Sequence, residues 1–177
     1  WSIDDIRENR DQALPFLLAG HRGKIVDFTF SSDGRYLASA SWDGFVGVWD
    51  MALARNQLDQ LPYMLRGHDG PVNTVQFSAD NTHLYSAGYD GHIRYWRVAD
   101  GMYLRSVIRN GWGVNVMLAD EARNLLAYGS TDGAMVIAAL DTGRDILRMG
   151  EDRIPVLSVG LSRDATQLAF GNAKGQI

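Results

Sequence analysis

Four histidines are the side chains of this sequence best suited to acid-base or metal chemistry. They are His21, His68, His83 and His92, and an imidazole can serve as a general base or a metal ligand near neutral pH. His83 and His92 each begin a strand of one predicted hairpin, so we expect them at opposite ends of it, too far apart to share a metal ion. The sequence has no His-Glu-x-x-His segment, no calcium-binding loop and no cysteine, and we predict neither a metal centre nor a cysteine nucleophile.

One glycine-rich segment is the remaining candidate for a cofactor site. Gly111-Trp112-Gly113 loosely resembles a phosphate-binding loop, but no helix is predicted after it, and phosphate loops place the anion at a helix N-terminus. The chain has two lysines, Lys24 and Lys174, and neither lies in a phosphate-loop motif. We therefore predict an ordinary loop at 111–113 and no cofactor.

Composition and charge narrow the class of protein and of partner. The 177 residues include 17 Lys and Arg against 21 Asp and Glu, a net charge of −4, and 46% are hydrophobic, which is typical of a folded soluble domain. The negative charge argues against nucleic acid as a partner. No uncharged run approaches the roughly 18–20 residues that a membrane helix needs, so direct membrane insertion is not predicted. The absence of cysteine fits a reducing or an oxidising compartment, and the localisation stays open.

An internal repeat organises the chain and indicates how its elements are placed. Its markers are a Gly-His dipeptide, an Asp 22 residues after the His and a Trp 28 residues after it. They are filled by Gly20-His21, Asp43 and Trp49 in one copy and by Gly67-His68, Asp90 and Trp96 in the next. A long, fixed spacing that recurs in this way is typical of repeat architectures.

Two further copies keep the spacing but lose most markers. Asn110 and Asp152 take the His position, and Ala138 takes the Trp position of the third copy. A glycine, which tolerates the positive φ of a hairpin turn, still follows the Asp position in all four copies: Gly44, Gly91, Gly133 and Gly175. Apolar alternation around each turn predicts three strands per copy, with a fourth before the next copy. The fourth strands are predicted at 15–18 and 62–65.

These residues resemble the WD-repeat (Trp-Asp repeat) β-propeller family, in which a Trp-Asp pair closes the repeat. The pair is present as Trp49-Asp50 and altered to Trp96-Arg97. The resemblance implies an all-β fold of four-stranded antiparallel blades. It divides the chain into the end of a preceding repeat at 1–19, repeats at 20–66, 67–108 and 109–150, and a truncated repeat at 151–177. Since a blade has two apolar faces and needs a neighbour on each, we expect these roughly four blades to be part of a larger propeller.

The resemblance also implies a hydrogen-bonded relay of Trp, Ser, His and Asp within each intact repeat. The members are His21, Ser39, Asp43 and Trp49 in one repeat and His68, Ser86, Asp90 and Trp96 in the next. Ser, His and Asp together are also the constellation of serine hydrolases. We favour the structural role, because the set recurs in two copies and no glycine-flanked nucleophile turn surrounds either serine. No catalytic residue is predicted.

Large aromatic residues stand next to the relays. Trp42 and Tyr89 immediately precede the relay Asp in two repeats, a position that in the family lies on the face carrying the Gly-His loops. The rings would either pack over the loop of the adjacent blade or, together with Trp112, form a partner-binding patch. The polar border of such a patch would be Arg22, Lys24 and Asp69.

The sequence thus predicts a non-catalytic platform that binds other proteins or peptides through its loop faces, within a multi-subunit complex or a multidomain chain. The alternative is an accessory or ligand-binding propeller domain of a larger sensor or redox enzyme, since a fold does not fix a function. Sequence flanking residues 1 and 177 would discriminate between them. A nucleotide-binding or haem-attachment motif there would favour the accessory domain, and further blades would favour the platform.

Overall fold

Antiparallel strands joined by turns make up most of the described part of the chain in the computed structural model. The structure describes residues 17–56, 62–150, 152–162, 164 and 166–177. Within each sheet, strands that follow one another in sequence are also neighbours in space. The predicted all-β architecture of consecutive antiparallel blades is confirmed.

Three of the sheets described have four strands and one has two. Blade 1 contains β1 (Ile25–Phe30), β2 (Tyr36–Ser41), β3 (Val46–Asp50) and β4 (Tyr63–Leu65). Blade 2 contains β5 (Val72–Phe77), β6 (His83–Gly88), β7 (His92–Arg97) and β8 (Tyr103–Arg109). Blade 3 contains β9 (Val114–Asp120), β10 (Leu125–Ser130), β11 (Met135–Ala139) and β12 (Asp145–Met149), and blade 4 contains β13 (Val156–Leu161) and β14 (Leu168–Asn172). A short helix α1 (Met51–Asn56) follows β3, and a 3-10 turn (Glu121–Arg123) follows β9.

The fourth strand was predicted correctly at one of its two places. Residues 63–65 form β4 and pair with β3. The prediction was wrong at Leu17 and Leu18, which lie in no strand, and residues 15 and 16 fall outside the described residues. A strand needs a neighbour to satisfy its backbone N–H and C=O groups, and none of the described strands pairs with Leu17 or Leu18.

The blades pack face to face. In each repeat, first-strand side chains at the same repeat positions point toward the preceding blade. One apolar cluster lies between blades 1 and 2 and another between blades 2 and 3. In blade 2 the first-strand residues of this face are Val72, Val75 and Phe77, all buried. The corresponding residues of blade 1 are Ile25, Phe28 and Phe30, which are 46%, 65% and 53% exposed. These three side chains give blade 1 an exposed apolar face.

Polar side chains on the inner strands join neighbouring blades, a feature that the sequence analysis missed. The amide of Asn73 donates to the carbonyl of Val114 at 2.9 Å. The amide of Asn115, at the corresponding position one repeat later, donates to the carbonyl of Val156 at 3.0 Å. Because a hydrogen bond needs defined geometry while apolar packing does not, these amides fix how far each blade slides along the next. The sequence signal for these contacts is the Asn that follows a buried Val in both repeats.

The relay of the second repeat is a continuous chain of hydrogen bonds. His68 Nδ1 donates to the Asp90 carboxylate at 3.0 Å, and its Nε2 accepts from the Ser86 hydroxyl at 2.8 Å. Ser86 Oγ in turn accepts from the Trp96 indole N–H at 2.8 Å. Each buried polar atom along the chain thus has a partner, which removes the cost of burying it.

Arg94 extends this relay with a buried positive charge. Its guanidinium contacts Asp90 at 2.9 Å and donates to the carbonyl of Gly67 at 2.6 Å. Burial by itself would raise the pKa of Asp90, but the hydrogen bond from His68 and the N–H groups of Asp69 and His92 hold that pKa well below its usual range. Asp90 is therefore a carboxylate at neutral pH, and it connects the loop before β5 to the β6–β7 hairpin.

The first repeat departs from the predicted relay at Trp49. His21 contacts Asp43 at 2.9 Å and Ser39 at 2.6 Å, as the resemblance implies. The Trp49 indole N–H, however, has no hydrogen-bond partner in the described part of the chain, although the residue is only 3% exposed. The ring occupies the space above Gly47, where a Cβ would lie 2.6 Å from it. Blade 2 has Arg94 in place of that glycine, and there the Trp N–H reaches its serine.

The third repeat packs without a relay because its large aromatic residue stands on the second strand and not on the third. Ala138 stands at the Trp position, and Tyr128 stands at the Ser position, one strand inward. Both are buried. The exchange of a large and a small residue between adjacent strands keeps the volume needed for a packed core.

We predict that the two tryptophans respond differently to the same substitution. Trp96→Phe removes a satisfied N–H and leaves Ser86 with one bond fewer, whereas Trp49→Phe removes an N–H that has no partner. Both changes remove the same volume, so the free energy of unfolding should fall by about 2 kcal/mol more for Trp96→Phe than for Trp49→Phe. Urea unfolding of the intact protein measures both values. Equal losses would show that the indole N–H of Trp96 contributes nothing.

A second prediction concerns acid stability. The pKa of Asp90 in the folded protein lies below its ordinary value of 3.8, so its carboxylate stabilises the fold above about pH 4, and this contribution is lost as the pH falls toward the depressed pKa. Asp90→Asn should destabilise the protein at pH 7, and its deficit relative to wild type should shrink between pH 4 and pH 2. Asp69→Asn, which changes an exposed carboxylate nearby, is the control. A deficit that stays constant with pH contradicts the prediction.

Candidate partner-binding rim

One end of the blades carries the loops before the first strands and the hairpins between second and third strands; we call this end the rim. Each hairpin is hydrogen-bonded to the loop of its own blade. The backbone N–H of Trp42 donates to the carbonyl of Lys24 at 2.9 Å, and that of Tyr89 donates to the carbonyl of Pro71 at 2.9 Å. The N–H of Thr131 makes the same bond in blade 3. The position before the turn Asp is therefore held identically in three repeats.

Adjacent blades touch along the rim through glycines. Gly91 has a φ of +74° and lies directly against the carbonyl of Asn110, so no side chain fits there. Between blades 1 and 2, Gly44 lies against the carbonyl of Gly70, and a Cβ on Gly44 would come within 3.3 Å of that oxygen. The loops therefore form a continuous surface from blade 1 to blade 3.

The three predicted aromatics lie on this surface and are half exposed. Trp42 is 49%, Tyr89 52% and Trp112 60% exposed. The ring of Tyr89 rests against Gly113 of the next blade, where a Cβ would come within 3.2 Å of the ring. At Tyr89 one side of the ring thus packs on the adjacent loop, and the other side faces solvent, where the predicted partner would bind.

Cations stand over two rim aromatics in blade 1. The Lys24 ammonium lies 5.1 Å from the centre of the Trp42 ring, and the Arg66 guanidinium lies 5.3 Å from the centre of the Phe45 ring, both within the range of a cation–π interaction. Arg22 is exposed beside them, and its backbone N–H donates to Asp43 at 2.8 Å. Sequence reasoning missed Arg66 and Phe45, although both flank marker glycines of the repeat.

Asp69, the remaining predicted border residue, lies in the loop before β5. Its backbone N–H donates to Asp90 at 3.1 Å, and its own side chain is exposed. Beneath the rim, burial would raise the pKa of Asp43, but the backbone N–H of Arg22 and the His21 ring lower it. Asp43 and Asp90 are thus ionised and fully engaged with the loops, so they hold the rim in place.

The geometry of the Ser, His and Asp sets argues against hydrolysis at them. Ser39 is 2% exposed and Ser86 is fully buried, so a substrate carbonyl has no route to either hydroxyl. His83 and His92 begin β6 and β7 at opposite ends of the hairpin, as predicted. Among the residues that the structure describes, no group of three His, Cys, Asp or Glu side chains is placed to hold a metal ion.

The described part of the chain contains no helix of the length and apolarity needed to cross a membrane.

A family match extends over the first two repeats. Residues 13–50 and 59–97 match the family described as WD domain, G-beta repeat. The guanine nucleotide-binding protein subunit beta of Saccharomyces cerevisiae is 38% identical over 56 residues, which are 31% of this chain and 13% of that protein. The periodic tryptophan protein 2 homolog of Schizosaccharomyces pombe is 50% identical over 34 residues, 19% of this chain and 4% of that protein.

The chain therefore spans only a small part of the curated relatives that it matches. The matched segments contain both Gly-His dipeptides, both relay aspartates and both tryptophans described above. Residues 13–50 and 59–97 of this chain are therefore WD repeats.

Proposed function

We propose that the protein is a non-catalytic interaction platform that binds another protein or a peptide at the rim. The observation that carries the proposal is the row of half-exposed aromatics Trp42, Tyr89 and Trp112, each held by a loop that hydrogen bonds and glycine contacts fix in place. Rigid aromatic side chains lose little conformational entropy on binding and dominate interface energies.

The rigidity of the blades supports this role. The His, Ser and Asp side chains of the relays in blades 1 and 2 are buried and use their polar atoms internally, so they stabilise the rim and do not react. A surface that keeps its shape pays little reorganisation cost on binding. The match of two segments to the WD-repeat family favours an interaction scaffold.

A protein partner is also favoured by one relative. The matching yeast protein is named as a subunit of a guanine nucleotide-binding protein, so a related repeat functions inside an assembly of several chains. We infer that the present chain likewise works within a multi-subunit complex or a multidomain protein, without assigning it that assembly.

We predict that a double change at the rim weakens binding with little effect on folding. Trp42→Ala with Tyr89→Ala should lower the affinity for captured partners by about 2 kcal/mol or more, roughly thirtyfold. The readout is quantitative mass spectrometry of proteins that the immobilised intact protein retains from an extract of its native cells, together with the melting temperature. A two-residue change at the opposite end, Leu53→Ala with Met102→Ala, is matched in exposure and should leave capture unchanged.

The melting temperature distinguishes a role of the two rings in partner binding from a role in blade packing. If the double rim variant melts far below wild type while its folded fraction still captures the same proteins, both rings serve blade packing and the partner binds elsewhere. If capture falls equally in the control variant, the loss does not report on the rim.

A further inference from the structure

We propose that the blade 1 part of the rim binds an acidic segment of a partner protein, one in which Asp or Glu alternates with apolar residues. This rests on the function proposed above and names the chemistry of the partner. We call this surface the basic rim segment; it consists of Arg22, Lys24 and Arg66 with the aromatic rings of Trp42 and Phe45.

The three cations of the basic rim segment have no carboxylate partner within the described chain. Arg22, Lys24 and Arg66 are exposed, and none of the ion pairs among described residues includes them. Asp43, which accepts from the N–H of Arg22, is 9% exposed at its side chain and also accepts from His21 and the N–H of Phe45. Its charge is therefore directed inward. The exposed Asp69 lies in the neighbouring loop and is outnumbered by the three cations, so the exposed charge of this surface is net positive.

The aromatic rings restrict the cationic side chains without occupying their N–H donors. Trp42 lies under the Lys24 ammonium and Phe45 under the Arg66 guanidinium. A ring face attracts the cation but accepts no strong hydrogen bond, so the N–H groups remain available for carboxylate oxygens. Since these rings also restrict the long side chains before binding, less entropy is lost when a carboxylate arrives. The exposed part of Trp42 offers an apolar contact beside the charges.

The opposite end of the blades carries fixed negative charge. Each of three turns between first and second strands has a serine whose hydroxyl donates to an Asp two residues later: Ser31 to Asp33, Ser78 to Asp80 and Ser162 to Asp164. These bonds lower the pKa of each carboxyl, for Asp80 to about 2. The chain as a whole has a net charge of −4. That end also carries arginines, several of them paired with acids, whereas the cations of the basic rim segment are unpaired. An acidic segment is thus attracted more strongly to the basic rim segment, which orients its approach.

Nucleic acid fits this surface less well. Double-stranded DNA carries one charge per roughly 1.7 Å of its axis and is bound by extended basic stripes. Here the unpaired cations of the segment are three in number and confined to one blade, on a chain with net negative charge. A short run of carboxylates is the anion that three such cations match.

The test uses fluorescence anisotropy of the intact protein with short labelled peptides. The acidic peptide alternates Glu and Asp with Leu and Phe, the neutral peptide has Gln and Asn in place of the acids, and an oligothymidylate of similar length reports on nucleic acid. We expect the acidic peptide to bind at least about tenfold more tightly than the neutral one, with an affinity that falls as salt rises. Equal binding of the two peptides, or tighter binding of the oligothymidylate, overturns the proposal.

Charge variants locate the site. Arg22→Glu with Lys24→Glu and Arg66→Glu should abolish the preference for the acidic peptide, and the milder pair Arg22→Gln with Lys24→Gln should reduce it severalfold. Arg35→Glu with Arg144→Glu, on exposed cations of the opposite end, should change it less than twofold. An unchanged melting temperature shows that each variant is folded. Retention of the preference in both rim variants, or its loss in the opposite-end variant, overturns the assignment.

The outcome separates this inference from the function on which it rests. Capture of native partners that requires Trp42 and Tyr89 but is insensitive to salt and to the rim charge variants leaves the platform standing and rejects the acidic segment. Capture that survives the aromatic and the charge variants alike rejects the rim as the binding surface. Loss of capture in both sets of variants, with preference for the acidic peptide, supports both proposals.

Discussion

The carboxylates of Asp43 and Asp90 are the interaction on which the rim depends. Each is buried beneath the loops, where an unpartnered charge would be costly, and each accepts hydrogen bonds from a histidine ring and from backbone N–H groups of two different loops. A single side chain thereby fixes the loop before the first strand relative to the hairpin between the second and third strands. Trp42 and Tyr89, which immediately precede these residues, are held in corresponding places for that reason.

Packing between blades imposes a second constraint, which different residues satisfy in each repeat. In blade 2 a large Trp96 on the third strand is combined with a small Ser86 on the second, and in blade 3 Ala138 is combined with Tyr128. Both pairs fill the same layer, and only the first contains the hydrogen-bonded relay. The fold therefore requires volume at every interface between blades, whereas the polar relay adds stability and loop geometry where it is present.

The two ends of the blades differ in chemistry because their turns differ. At the opposite end, serine hydroxyls donate to aspartates within the turn itself and hold them ionised and exposed. At the rim, the aspartates are drawn inward by the relay, which leaves exposed cations and aromatic rings at the surface. One stack of repeated sheets thus presents a negative end and an aromatic, partly basic end, and we propose the second as the surface for a protein partner.

The sequence by itself determined the repeat and the antiparallel blades, because strand alternation and turn glycines are local patterns that recur at fixed spacing. The end on which Trp42, Tyr89 and Trp112 lie was an expectation implied by the resemblance to WD repeats. It could not determine that the Trp49 N–H lacks a partner, since this depends on the space that Gly47 leaves beneath the ring, nor that Arg66 stacks on Phe45 or that Asn73 bonds to the next blade. These contacts join residues that are distant in sequence or lie on different strands. Only the packing of strands and blades decides which atoms come within reach of one another.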